Sequence, residues 1–323
     1  MSDTLERKLQ RKYFSPMGWS ILIYLLIMNA MVVAFAFSDA FAISLRQSMG
    51  EVISEEEKMA TLMNNGWGYL LTIFIGLIIL WVWKGKKFCC ETLWTRGRPM
   101  KLGTFVALFC LFISGQSMFQ VIAGIQESIL NVFGLTAMES FQSATMDFDS
   151  LTMFIYAAIG APIMEEIIFR GLVLRHLEPY GKGFAIVMSA FIFGIFHGNI
   201  VQIPYAFLVG LVMGYVTIEY NILWAMVLHM INNMVLGDLI ERLLPGMAGE
   251  ALISLLIMAC SLVGAVLLIA RMKDIREYVE KNPVRDQDAG NFFSSPGMIA
   301  LELFVLYGVA SPLIDQIMAK LGQ

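Results

Sequence analysis

Long apolar runs, separated by short polar stretches, constrain the fold of this 323-residue chain more than any other feature. The first run begins near Met17 and continues to about Phe37. A helix of about 20 apolar residues is long enough to cross the hydrocarbon core of a bilayer. Further runs of this kind lie at about 66–83, 102–122, 151–168, 184–199, 203–218, 222–237 and 251–270. The sequence therefore predicts an all-α, polytopic transmembrane bundle of about eight spans.

The composition agrees with this interpretation. Hydrophobic residues make up 58% of the chain and charged residues 15%, with a mean hydropathy of +0.71. Soluble domains average about 45–50% apolar and about 25% charged residues, so a water-soluble fold is excluded. The net charge of −4 argues against a nucleic-acid partner. The four cysteines lack the spacing of a disulfide framework or a zinc site.

Lysine and arginine residues predict the orientation of the spans. They are concentrated before the first span and in three stretches at 84–101, 170–182 and 271–285, whereas the alternate loops hold few. This alternation predicts a cytoplasmic N-terminus, with the first apolar run retained as a span rather than removed as a signal peptide. The basic inner loops and short outer loops favour a bacterial cell membrane as the location.

The chain shows no internal repeat, so we expect one membrane domain over residues 1–323. It would consist of N-terminal spans in 1–150, a central core in 150–240, and a C-terminal span and tail in 250–323. The run at about 297–313 predicts either a ninth span or an interfacial helix. Several runs are interrupted or ended by helix-breaking residues, which predicts bent or broken helices at Gly160, Pro162, Gly194 and Pro204.

Ionisable residues inside apolar spans are costly, so each one is a functional hypothesis. Glu165 and Glu166 lie at one end of the fourth run, followed by Arg170. The i, i+4 spacing lets Glu166 pair with Arg170 on one helix face. Glu165 points about 100° away, which leaves it as a spare carboxylate available as a general base. A plainer alternative is that both glutamates mark the interfacial end of a helix.

Two of the three histidines lie in apolar runs, and both add to this hypothesis. His229 is followed at i+4 by Asn233, so an imidazole and an amide share a helix face, and His197 ends the fifth run. A carboxylate and a histidine can activate a water, while a second histidine and an amide donate to an oxyanion. Two imidazoles and one carboxylate can also bind a catalytic zinc ion. The residues alone leave both possibilities open.

Three motifs together carry a family resemblance. They occur on three apolar segments in the order Glu165-Glu166-x-x-x-Arg170, Phe193-x-x-x-His197 and His229-x-x-x-Asn233. In this order they resemble the CPBP family, the CAAX protease and bacteriocin-processing membrane proteins related to type II CAAX prenyl endopeptidases. The resemblance covers about residues 150–240, which would be the catalytic core. It implies an intramembrane endopeptidase with a polar cavity inside a helical bundle.

The resemblance also implies roles for the motif residues. Glu165 with His197 would activate the water, and His229 with Asn233 would stabilise the oxyanion. Glu166 completes the catalytic set. The family is described both as metalloproteases and as glutamate-dependent proteases, so the cofactor is either none or a zinc ion held by Glu165, His197 and His229.

Two supporting residues and one geometric difficulty complete this hypothesis. The ion pair of Glu166 with Arg170 would hold Glu165 in place, and Phe193 would pack beside His197. However, helices that begin near residues 150 and 184 place Glu165 about 10 Å and His197 about 20 Å inside the cytoplasmic boundary. The fifth helix would therefore begin further into the cytoplasm, or the fourth would bend.

The expected partners are the lipid bilayer and a membrane-associated or lipid-modified peptide or protein substrate. Two other classes of function use the same buried polar residues. One is a non-enzymatic membrane protein, such as a bacteriocin-immunity factor or a scaffold. The other is a proton-coupled transporter, which the absence of a repeated half disfavours.

Overall fold

The computed structural model describes residues 3–63, 65–138 and 150–321, and every regular element within these ranges is helical. The N-terminal half contains α1 (Asp3–Ser48), α2 (Glu55–Met63), α3 (Trp67–Lys87) and α4 (Leu102–Val132). The central helices are α5 (Leu151–Tyr180), α6 (Lys182–Phe196), α7 (Gln202–Glu219) and α8 (Ile222–Ile231). The C-terminal helices are α9 (Met247–Ala270), α10 (Met272–Lys281), α11 (Asp286–Phe293) and α12 (Pro296–Leu321). The all-α bundle is therefore confirmed.

All eight predicted runs are helical, and so is the run at 297–313. Among the described residues, seven helices are long and apolar enough to cross a membrane. One of the seven is α12, which has the length of a span rather than that of a short interfacial helix. The apolar helices α6 and Ile222–Gly237 are shorter than the rest. The exact number of spans and their orientation remain predictions.

The loops that the sequence assigns to the cytoplasm meet at one end of the bundle. There the carboxylate of Glu219, at the end of α7, lies 2.9 Å from Lys182 Nζ and 3.5 Å from Arg98 Nη2. The hydroxyl of Tyr278 on α10 donates to the same carboxylate at 3.0 Å. Burial, together with Glu219, raises the pKa of Tyr278, so its hydroxyl remains a donor at neutral pH. The meeting of these basic residues at one end of the bundle agrees with the prediction that the basic loops lie on one side of the membrane.

The N-terminal part of α1 also packs at this end. The ring of Tyr13 stacks on that of His176 with 4.1 Å between centroids, and its hydroxyl donates to the His176 carbonyl at 2.9 Å. Gln10 donates to the buried Asp288 of α11 at 3.1 Å. These contacts extend α1 well before its apolar run begins at Met17, because the polar residues of its first turns have partners on other elements.

The bent helices predicted from glycine and proline appear as π-helical turns and as one tight turn. Within α5, a π turn at Tyr156–Gly160 precedes Pro162, whose missing N–H cannot bond to the carbonyl one turn earlier. Gly194 and Pro204 flank the connection between α6 and α7, where Gly198 has a φ of +59° that favours glycine. Another π turn, Asn232–Leu239, continues α8.

Glycines also allow the last helix to dock on the first. A Cβ added at Gly18 of α1 would collide with the backbone of Gly297, and one at Gly297 would collide with the Ser15 carbonyl. The two backbones therefore touch, as small residues permit in membrane helices. The backbone N–H of Gly297 donates to Ser15 Oγ at 3.0 Å.

We expect Gly18→Ala to separate α1 from α12 and to lower the thermal unfolding temperature of the purified protein in detergent. Overpacking of this kind costs about 1–3 kcal/mol. The matched control is Gly308→Ala on α12, where an added Cβ meets no atom within 4 Å and should leave stability unchanged or slightly higher. Equal unfolding temperatures for the two variants would contradict the assigned packing.

Candidate active site

The centre of the site is a fully buried ion pair on α5. Arg170 Nη1 donates to Glu166 Oε1 at 3.0 Å, and neither side chain is exposed. Arg170 Nη2 also faces the carbonyl of Gly210 on α7 at 3.3 Å, and its guanidinium lies 4.3 Å from the ring centroid of Phe193 on α6. The i, i+4 spacing on α5 thus produces a charge pair that also joins α5 to α6 and α7.

His229 on α8 contacts both glutamates. Its Nδ1 lies 3.0 Å from Glu166 Oε1, and its Nε2 lies 3.7 Å from Glu165 Oε2. Because a carboxylate only accepts hydrogen bonds, Nδ1 must carry the proton that it donates to Glu166. The remaining ring nitrogen, Nε2, therefore faces Glu165. The side chain of Glu165 is 21% exposed, whereas that of Glu166 is fully buried, so the two neighbouring carboxylates have different environments.

Phe193 brings the two histidines to one aromatic ring. Its centroid lies 5.0 Å from that of His197 and 5.8 Å from that of His229, and both imidazoles are nearly perpendicular to it. Nδ1 of His197 lies 2.9 Å from the Phe193 carbonyl. Nδ1 therefore donates to that carbonyl, and His197 is left with Nε2 for other partners.

Asn233 lies in the π turn that continues α8. Its Nδ2 donates to the carbonyl of Ala157 on α5 at 3.2 Å, and its Oδ1 accepts from Asn232 Nδ2 at 3.0 Å. The π turns of α5 and α8 are thus joined through this amide. Such turns are frequent at functional sites.

The length of α5 explains why the apolar runs place Glu165 and His197 at different depths. The fourth run ends near residue 168, but α5 continues to Tyr180. Glu165 therefore lies about 22 Å from the C-terminal end of α5, and His197 follows the 15 residues of α6, which begin at that same end of the bundle. The apolar run was too short because the buried Arg170 and the polar residues after it also continue the helix.

Among the described residues, the ion-pairing nitrogen that lies within 4 Å of Glu165 belongs to His229. The pairing of Glu165 with His197 that the resemblance implies is through a shared water, and it stays a prediction. Three polar residues near Asn233 were not included in the predicted set, namely Gln116, Tyr205 and Asn232. Gln116 could have been identified from the sequence, because it is an amide within the third apolar run. Tyr205 gave none, since a tyrosine at a helix end is common in membrane proteins.

The side chains of the cluster include the ligand types of a zinc site. Both histidines use Nδ1 on a carboxylate or a carbonyl, which is the usual outer contact of a metal-binding imidazole. Together with Glu165 they offer the atoms that zinc prefers. However, no group of three or more His, Cys, Asp or Glu side chains in the described part of the chain is close enough to hold an ion. The donor types fit zinc, whereas their spacing in this structure does not.

We expect Arg170→Met to destabilise the protein strongly, because it leaves the Glu166 carboxylate buried without its cationic partner. Breaking a buried ion pair in this way costs about 3–5 kcal/mol. The measurement is thermal unfolding in detergent, with Arg276→Met as the control, because Arg276 pairs with Glu280 on an exposed face. If Arg170→Met lowered the unfolding temperature no more than Arg276→Met does, the buried pair would not be structurally important.

One of the comparisons with known proteins matches the segment that holds this cluster. Residues 147–235 match the family described as Rce1-like, type II CAAX prenyl endopeptidase Rce1-like. No significant match was found among the curated proteins or the solved structures. The matched segment contains all seven motif residues. Residues 147–235 are therefore similar to the type II CAAX prenyl endopeptidases, the family that the three motifs predict.

Proposed function

We propose that the protein is an intramembrane endopeptidase that hydrolyses a peptide bond in a membrane-associated or lipid-modified peptide or protein. The observation that carries the proposal is the contact of Glu165 with His229, which Glu166 and Arg170 hold in place. This cluster lies within the segment that resembles CAAX prenyl endopeptidases. The apolar helices and the family support an integral membrane protein. A bacterial cell membrane remains part of the proposal.

Glu165 is proposed as the general base. It is the carboxylate of the cluster that has no arginine partner and that is partly exposed. With His197 it would hold a water and accept its proton as the water oxygen bonds to the substrate carbonyl carbon. When the C–N bond breaks, Glu165 would return the proton to the leaving amine. The products are then one amine and one carboxylic acid, which ionises by releasing its proton to solvent, as hydrolysis requires.

His229 and Asn233 are proposed as the donors to the oxyanion. Nδ1 of His229 is bonded to Glu166, so a proton on Nε2 would give this histidine an N–H directed at the developing charge. The attacking oxygen and the oxyanion are bonded to the same carbon in the tetrahedral intermediate. The base and the oxyanion donor must therefore lie within a few ångströms of each other, and the 3.7 Å between Glu165 and His229 meets this requirement.

We expect Glu165→Gln to abolish cleavage while the protein remains folded. The amide keeps the shape of the side chain but cannot accept the proton, and loss of a general base lowers the rate about 10²–10⁴-fold. The substrate is a peptide with a fluorophore and a quencher on either side of the bond after a farnesylated cysteine near its C-terminus. The measurement is fluorescence release in liposomes, and Glu165→Asp should retain more activity than Glu165→Gln.

Glu178→Gln is the matched control, because Glu178 lies on the same helix and pairs with Arg175 at its inner end. It should cleave at the normal rate. Normal cleavage by Glu165→Gln would remove the proposed base. The absence of cleavage by the unmodified protein would favour a non-enzymatic role or a proton-coupled transporter for the same cluster.

We expect cleavage to continue after treatment with a strong zinc chelator, because the proposed water is held by Glu165 and His197. Metal analysis of the purified active protein should then find less than one zinc ion per chain. Loss of activity on chelation, with recovery on zinc addition, would instead assign Glu165, His197 and His229 as metal ligands.

A further inference from the structure

A chain of polar side chains continues from Asn233 across the bundle to α4. Gln116 Nε2 on α4 lies 2.7 Å from the hydroxyl of Tyr205 on α7 and 3.0 Å from Asn232 Oδ1. The Tyr205 hydroxyl also donates to Asn232 Oδ1, at 3.4 Å. Asn232 Nδ2 in turn donates to Asn233 Oδ1 at 3.0 Å. Four polar side chains from three helical segments thus form one hydrogen-bonded network.

A backbone carbonyl fixes the direction of every bond in this network. The carbonyl of Ala157 can only accept, so the atom of Asn233 that faces it, 3.2 Å away, must be Nδ2. Oδ1 of Asn233 then faces Asn232 and needs a donor, which makes the facing atom of Asn232 its Nδ2. Oδ1 of Asn232 is consequently the acceptor for Gln116 and Tyr205. Turning over any one amide would place two donors or two acceptors against each other.

We infer that Gln116, Tyr205 and Asn232 are positioning residues that hold the amide of Asn233 with an N–H available to the substrate oxyanion. This inference rests on the proposed function. One hydrogen of Asn233 Nδ2 is used by Ala157, and the second remains for the substrate. A free asparagine side chain would present its oxygen to the oxyanion as readily as its nitrogen, and the network prevents that arrangement.

The position of Gln116 makes the inference specific to this chain. Gln116 lies on α4, outside residues 147–235 that match the family. The adjacent Gly115 allows the approach, because a Cβ there would lie 3.0 Å from Val209 and 3.4 Å from the Tyr205 ring. An N-terminal helix therefore contributes a polar group to a site whose other members lie on α5 to α8.

The experiment measures kcat and KM for the farnesylated peptide in liposomes. Asn232→Asp keeps the shape of the side chain but replaces the Nδ2 donor with an oxygen, so two acceptor oxygens then face each other at Asn233. Gln116→Leu removes the donor to Asn232. We expect each change to lower kcat about 10- to 100-fold and to leave KM within about twofold, because the oxyanion forms only in the transition state. Asn233→Ala should lower kcat about 10²–10³-fold.

Gln126→Leu is the matched control for Gln116→Leu. Gln126 lies on the same helix and donates to the Ile200 carbonyl at 2.9 Å, so the same change removes one polar contact elsewhere. Gln116→Leu removes two hydrogen bonds and Gln126→Leu removes one, so both variants should lower the unfolding temperature, but only Gln116→Leu should lower kcat. A double variant of Asn232→Asp with Asn233→Ala should be no slower than Asn233→Ala alone.

The outcomes separate the two proposals. Normal kcat for Asn232→Asp and Gln116→Leu, with Asn233→Ala impaired, would overturn the positioning role and leave the protease function in place. Additive losses in the double variant would do the same. Normal cleavage by both Glu165→Gln and Asn233→Ala, or no cleavage by the unmodified protein, would overturn the proposed function, and the positioning role with it.

Discussion

The burial of Glu166 between Arg170 and His229 is the constraint on which the centre of this structure depends. A carboxylate with no exposure to water must be paired, and here one oxygen serves both a guanidinium and an imidazole. The pairing draws α5 and α8 together, while the remaining contacts of Arg170 reach α6 and α7. The four central helices are therefore organised around one charge, and the geometry of the neighbouring Glu165 follows from it.

Much of the fold could be predicted from the sequence, because a bilayer allows few alternatives. Apolar runs must be helical, since backbone groups in lipid have to be bonded within the segment. The motif residues could be predicted for a related reason, because charges are costly in apolar segments and few are present. The spacing of Glu166 and Arg170 then specifies their pairing on one face of a helix.

Other features depended on tertiary contacts that leave no trace in local sequence. The contact of Glu165 with His229 could not be predicted, because it is set by how α5 and α8 cross. The true end of α5 was hidden by Arg170, which ends an apolar run but is buried against Glu166. The network through Tyr205 combines residues from distant parts of the chain, and only its amides were conspicuous, because Gln116 and Asn232 both lie within apolar runs.

The short helix α6 ends before it could cross a bilayer. Its 15 residues cover about 22 Å, whereas the hydrocarbon core of a typical bilayer is about 30 Å thick. Side chains bond to the backbone groups of the turn after it. Asn199 Oδ1 accepts from the Val201 N–H, and Gln126 Nε2 donates to the Ile200 carbonyl. Ten of the 15 residues of α6 are buried, so protein rather than lipid surrounds the end of this helix. Irregular backbone at membrane depth is tolerated where protein encloses it, and the early end of α6 therefore leaves His197 inside the bundle.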